Sequence, residues 1–204
     1  AIYCVSMIPL LKNEKTIDYN KRGLELMRSK NYAEAEEEFN KSLDMMLNRF
    51  ETDKSAKNAV IAVYGNLALL YEKTKRTQLA IDALQKSRKY LPFTHADYYS
   101  ISGDINSLKG NMQNAVADYE KALDIDPDNF NAHTSLGVLY MNPANAELQD
   151  YVKALYHNKK ACELNPNLQT LENSAISYYY LGDLPNALAL FKDLNKKDPR
   201  NASV

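Results

Sequence analysis

The 204-residue sequence has no tryptophan, two cysteines, six glycines and seven prolines. Two cysteines, Cys4 and Cys162, make neither a disulfide framework nor a metal set. They leave the compartment open, with a lean to a reducing, cytoplasmic one. So few glycines argue for helix over turn-rich β structure. No apolar run approaches the roughly 18 residues of a membrane-spanning helix, which leaves no integral membrane segment. Charge of one sign is also missing. Lys+Arg number 25 against 26 Asp+Glu, a net charge of −1. Nucleic acid and anionic membranes select a basic excess, so neither is an expected partner. There is no glycine-rich phosphate loop and no nucleophile–base set. His95, His133 and His157 are scattered, with no Cys or carboxylate at metal spacing. The expectation is a protein that is not an enzyme and holds no metal or cofactor.

What is present is ordinary globular composition, 45% hydrophobic and 25% charged, arranged in a repeat. The stretch Tyr99–Pro127 contains two helix-length segments around Gly110-Asn111. The second carries Ala115, Tyr119, Ala122 and Leu123, the i, i+4, i+7, i+8 spacing of one helical face. Gly110 suits a helix C-terminus, and Pro127 lies where a helix has stopped. The small anchor Ala115 recurs as Ala35, Ala80, Ala154 and Ala187. Four residues later stand Phe39, Leu84, Tyr119 and Phe191, whereas the fourth unit has Asn158. Seven later come Ser42, Ser87, Ala122, Ala161 and Leu194; twelve later come Pro92, Pro127, Pro166 and Pro199. Twelve before the anchor stand Gly23, Ala68, Gly103 and Ala175, with Gly137 in that role in the fourth unit.

This pattern resembles the tetratricopeptide repeat (TPR) family, a helix–turn–helix unit repeated in tandem. The resemblance implies an all-α, right-handed α-solenoid of about five repeats, a single array over 16–201. The repeats fall at about 16–53, 55–94, 96–129, 130–167 and 168–201, with 1–15 as an apolar N-terminal segment or an extension of the first helix. Small residues let paired helices approach, and aromatics fill the space between hairpins. The family's function is protein binding, so another protein, as peptide or helix, is the expected partner. Carried over residue by residue, the family's concave-face positions give a candidate site. It comprises Asn20, Met27, Asn66, Leu69, Lys73, Ser100, Asp104, Thr134, Val138, Met141, Asn173, Tyr179 and Tyr180. The carboxylate clamp of one chaperone-binding subclass is not among them: Asn66 matches one clamp Asn, but Leu24, Asn20, Asp97 and Ile101 replace its other members.

Irregularities complete the reading. Forty-five residues separate Ala35 from Ala80, in a stretch without proline. They imply long helices, one to about Phe50 and the next from about Lys54. Asn142-Pro143 stops a helix, so residues 141–149 read as a surface loop. Glu36-Glu37-Glu38 is expected on a solvated face, Lys86 to Lys89 on an exposed basic one, and His133 and Cys162 in packing roles. Residues 1–11 read as a signal remnant, a partner-docking segment or a cover for the first hairpin. The last helix, with Ala187, Leu190, Phe191 and Leu194, would leave an apolar edge. The alternatives to a scaffold are therefore a homo-oligomer through that edge or residues 1–11, and an accessory domain of a larger protein.

Overall fold

The computed structural model describes residues 18–197, and among them the backbone forms helices and turns with no strand. The helices fall into two compact units, one up to Pro92 and the other from Phe93. The first contains α1 (Tyr19–Arg28), α2 (Tyr32–Thr52), α3 (Lys57–Lys73) and α4 (Thr77–Arg88). Here α1 pairs with α2 and α3 with α4, while α3 also lies against α1 and α2. The second unit contains α5 (Ala96–Leu108), α6 (Met112–Ile125), α7 (Phe130–Met141), α8 (Tyr151–Leu164), α9 (Leu168–Tyr180) and α10 (Leu184–Lys197). Its pairs are α5–α6, α7–α8 and α9–α10, with α7 touching both α5 and α9. Each unit is thus an all-α helical repeat. Residues 1–11 lie outside the described residues.

Local chemistry sets the helix ends. Asp18 Oδ1 accepts from the Lys21 N–H at 3.0 Å and caps α1. Asn129 caps α7 by accepting from the Ala132 N–H at 3.0 Å, and Asn167 and Thr170 form a capping box on α9. The extra residues between the first two anchors are mostly helix. α2 continues to Thr52 before Asp53 turns extended at φ −133°. A short 3-10 turn, Lys54–Ala56, then leads into α3. The insertion after α7 is a 3-10 turn, Pro143–Asn145, followed by loop. The Asp150 N–H, bonded to the Tyr140 carbonyl at 3.0 Å, ties its end back.

The core follows the repeat. Ala35, Ala80, Ala115, Ala154 and Ala187 are all buried. Opposite them lies one packing slot used three ways. A Cβ on Gly23 would sit 2.5 Å from the Phe39 ring, and one on Gly103 2.5 Å from the Tyr119 ring. At Gly137 the slot holds Asn158, whose Oδ1 would be 2.0 Å from an added Cβ. The departure at Asn158 is therefore a substitution within the slot. Its amide donates to Ser177 Oγ at 2.8 Å in the next hairpin, a bond phenylalanine could not make.

Candidate partner-binding site

The first helix of each hairpin carries the candidate residues, and burial divides them. Met27, Asn66, Ser100, Asp104, Thr134 and Asn173 are buried. Asn20, Leu69, Val138 and Met141 are partly exposed, and Lys73, Tyr179 and Tyr180 are exposed. The two units hold separate parts of the set, Asn20 to Lys73 in one and Ser100 to Tyr180 in the other.

The buried polar members are occupied by internal bonds. Asn66 Nδ2 donates to Asn20 Oδ1 at 2.8 Å, tying α3 to α1. Ser100 Oγ donates to Asn129 Oδ1 at 2.9 Å, and Asn129 Nδ2 donates to Asp97 at 2.9 Å. Asp104 Oδ1 accepts from Tyr119 Oη at 2.7 Å and from Ser135 Oγ at 3.4 Å. That one carboxylate thus joins α5, α6 and α7. Thr134 Oγ1 donates to the Phe130 carbonyl of its own helix at 2.9 Å. Asn173 Oδ1 accepts from Gln169 at 3.0 Å, while its buried Nδ2 has no hydrogen-bond partner among the described residues. A side chain buried and bonded in this way is out of a partner's reach.

Three expectations need correction. Glu38 is buried rather than solvated, held by Lys41 at 2.9 Å and facing Arg22 at 3.9 Å. Glu36 pairs with Arg76 at 2.7 Å, so only Glu37 of that run is exposed. Within Lys86–Lys89, Ser87 is buried and bonds the Ile61 carbonyl at 3.3 Å. Cys162 is half-buried, less enclosed than a core position.

His133 is buried, as expected of a packing residue, but it also pairs with His157, Nδ1 to Nδ1 at 2.9 Å. Its Nε2 lies 2.9 Å from the Pro127 carbonyl, which can only accept. In the neutral pair His133 Nδ1 is therefore the acceptor and the His157 Nδ1–H the donor. Burial, helped by His133 and Lys153, lowers the His157 pKa to about 4. Among the described residues no group of three or more His, Cys, Asp or Glu side chains could hold a metal ion. No described helix is long and apolar enough to cross a membrane.

Near the α9 C-terminus the side chains are aromatic. Tyr180 stacks on Tyr151 with ring centroids 4.8 Å apart and planes 8° apart, and Tyr179 meets Tyr180 edge-on. The Tyr151–Tyr180 contact was not legible from the repeat pattern, because the insertion before α8 sets where Tyr151 lies.

Stacked helical hairpins whose first helices keep some side chains exposed define a helical-repeat scaffold. Models of the family described as "TPR repeat" match residues 103–142. Models described as "Tetratricopeptide repeat" match residues 19–45, 61–87 and 169–201. The chain is a tetratricopeptide repeat protein. Among solved structures it is similar to TTC0263, described as a thermophilic TPR protein in Thermus thermophilus. That match has 18% identity and a TM-score of 0.61, and covers 90% of this chain and 91% of that one. It is also similar to MamA, at 18% identity and TM-score 0.48, over 89% of this chain and 97% of that one. At these identities the likeness concerns the fold alone. No curated protein sequence matches the chain.

Proposed function

We propose that the chain is a non-catalytic scaffold that takes a partner peptide or helix along the first-helix faces of its hairpins. The reading rests on the burial pattern. In one unit α1 and α3 lie together and present Asn20, Leu69 and Lys73. In the other α5, α7 and α9 lie together and present Val138, Met141, Tyr179 and Tyr180. Met27, Asn66, Ser100, Asp104, Thr134 and Asn173 form the floor. A few apolar and tyrosine anchors beside a buried, mostly hydrogen-bonded polar base suit a partner segment held at hot spots. The test is capture of the partner identified by pull-down, repeated with Leu69→Glu, Val138→Glu and Tyr180→Ala. Each variant is expected to weaken capture; undiminished capture by all three overturns the assignment.

A second reading is self-association through α10. Of the edge expected from the sequence, Ala187 is buried and Leu190, Phe191 and Leu194 are half-buried; the exposed leucines of α10 are instead Leu184 and Leu188, one turn apart, at 57% and 54%, a larger apolar surface than a lone leucine leaves. Light scattering decides it. A dimer that becomes monomeric in Leu184→Asp/Leu188→Asp supports this reading, and a wild-type monomer at tens of micromolar removes it.

A further inference from the structure

The two units carry opposite charge. Residues 18–92 hold fourteen Lys and Arg against eleven Asp and Glu, a net charge of +3. Residues 93–197 hold eight Lys and no Arg against thirteen Asp and Glu, a net charge of −5. Within the second unit the lysines are also segregated. They stand on α6, α8 and α10 and, as Lys109, in the turn after α5. The first helices α5, α7 and α9 have no Lys or Arg, whereas α1 and α3 in the other unit have five. Lysine is an ordinary choice for exposed helix positions, so its confinement to the second helices needs a reason.

What the first helices of this unit do carry is carboxylate and tyrosine. Asp104 is buried and bonded, but Asp97 and Glu172 are partly exposed. Asp97 stands three and seven residues before Ser100 and Asp104, and Glu172 seven before Tyr179, so each shares a helix face with candidate positions. Among the described residues neither pairs with Lys or Arg. Asp97 Oδ1 accepts from Asn129 Nδ2 at 2.9 Å, and its Oδ2 lies 3.7 Å from His95 Nδ1. That nitrogen accepts the Asp97 N–H at 3.2 Å, so it brings the carboxylate no proton. Glu172 Oε2 accepts from the neutral amide of Gln169 at 3.4 Å. The turns beside α7 and α9 add Asp126, Asp128, Glu147, Asp150 and Asp183. Tyrosine faces also attract cations, and this unit shows it twice: Lys121 lies over Tyr99 at 4.3 Å and Lys153 over Tyr140 at 5.2 Å. Tyr179 and Tyr180 are exposed at the end of α9 and have no such lysine among the described residues.

We infer that the partner segment taken by the first-helix face of residues 93–197 is cationic, a stretch of protein that presents Lys or Arg among apolar residues. The inference rests on the proposed function, whose apolar and tyrosine anchors it keeps, and adds the sign of the charge between them. An acidic segment meets carboxylates with no counter-charge on these helices, and a neutral one leaves them unused. Lys109 is the one lysine in the turns beside the first helices and does not reverse the sign. Nucleic acid and anionic lipid are repelled by a unit at net charge −5.

The test uses the full chain and three fluorescent peptides that share the same leucines and carry Lys, Gln or Glu at every other position, read by anisotropy. The Lys peptide is expected to bind about tenfold or more tightly than the Glu peptide, with the Gln peptide between them, and to lose affinity with added salt. Asp97→Asn/Glu172→Gln keeps the acceptor oxygens and removes two charges. It is expected to weaken the Lys peptide about fivefold or more and to leave the Gln peptide unchanged. Asp124→Asn/Glu163→Gln makes the same change of net charge at exposed positions of α6 and α8 and is expected to bind as the wild type does. A Lys peptide that does not bind, three peptides bound alike, or a loss in Asp97→Asn/Glu172→Gln no larger than in the α6/α8 variant overturns the inference. If three equal affinities come with weaker Gln-peptide binding in Tyr180→Ala, the proposed function stands without it. If Tyr180→Ala binds the Gln peptide as the wild type does, both fall together.

Discussion

Gly103→Ala adds one methyl group where the structure has least room. The new Cβ would lie 2.5, 2.7 and 2.8 Å from Cε1, Cδ1 and Cζ of Tyr119. Carbon atoms rest at roughly 3.5–4.0 Å, so the ring must retreat by about 1 Å. It has nowhere easy to go, because Tyr119 is 1% exposed and its hydroxyl is held by Asp104 at 2.7 Å. Overpacking of this kind costs about 1–3 kcal/mol. Stretching a hydrogen bond to a charged group forfeits up to about 1.5–3 kcal/mol. Alanine returns about 1 kcal/mol through its higher helix propensity. The balance is a loss of about 3 kcal/mol. Urea denaturation followed by circular dichroism measures it. Tyr119→Leu in the same background removes the ring, so the double mutant should recover more than the sum of the single losses predicts. A Gly103→Ala protein as stable as the wild type would refute the slot, and with it the account of why glycine stands at 23, 103 and 137. Gly23→Ala meets Phe39 at the same distance without a hydroxyl anchor, so its loss should be smaller, about 1–2 kcal/mol.

Two further predictions are independent of that slot. Lys30 at φ 63° and Lys75 at φ 59° stand in the left-handed conformation that glycine takes at Gly110, φ 81°; Lys30→Gly and Lys75→Gly should each raise stability by about 1 kcal/mol, whereas Gly110→Lys should lower it by a similar amount, and denaturant midpoints read both. His157 supplies a pH dependence. Its pKa falls from 6.5 to about 4 on folding, so between those values the unfolded chain binds a proton that the folded chain does not. Stability is therefore whole above about pH 6.5 and declines as pH falls towards 4. Urea midpoints at neutral, mildly acidic and acidic pH test this, and His157→Gln should flatten the slope. An equally steep slope in that variant would assign the acid sensitivity to other groups.

The repeat was legible because packing imposes it locally. Ala115, Tyr119 and Gly103 recur at fixed spacing since each hairpin must solve the same contact. The candidate site was less legible. The family's first-helix positions point to Asn66, Ser100 and Asp104, and these lie on α3 and α5. Whether such a side chain faces solvent depends on a partner distant in the chain. Asn66 bonds Asn20 across 46 residues, and Asp104 meets Ser135 across 31. Spacing on one helix carries no trace of either bond. Glu38 went astray in part for the same reason: Lys41 lies on its own helix, but Arg22 faces it from the neighbouring one. The lysines at 30 and 75 are different. Alignment of the turns on Gly110-Asn111 would have exposed them, because the left-handed requirement is a local property of the backbone.

Sequence alone thus determined the helical-repeat class and the places where glycine or alanine must stand. Those features depend on contacts between residues a few turns apart, which recur with the period of the chain. Tertiary structure decided which polar side chains form a floor and which remain available. It also decided that Glu36 pairs with Arg76. Those outcomes depend on neighbours brought together only when hairpins stack. A buried polar group must find its bond wherever the fold offers one.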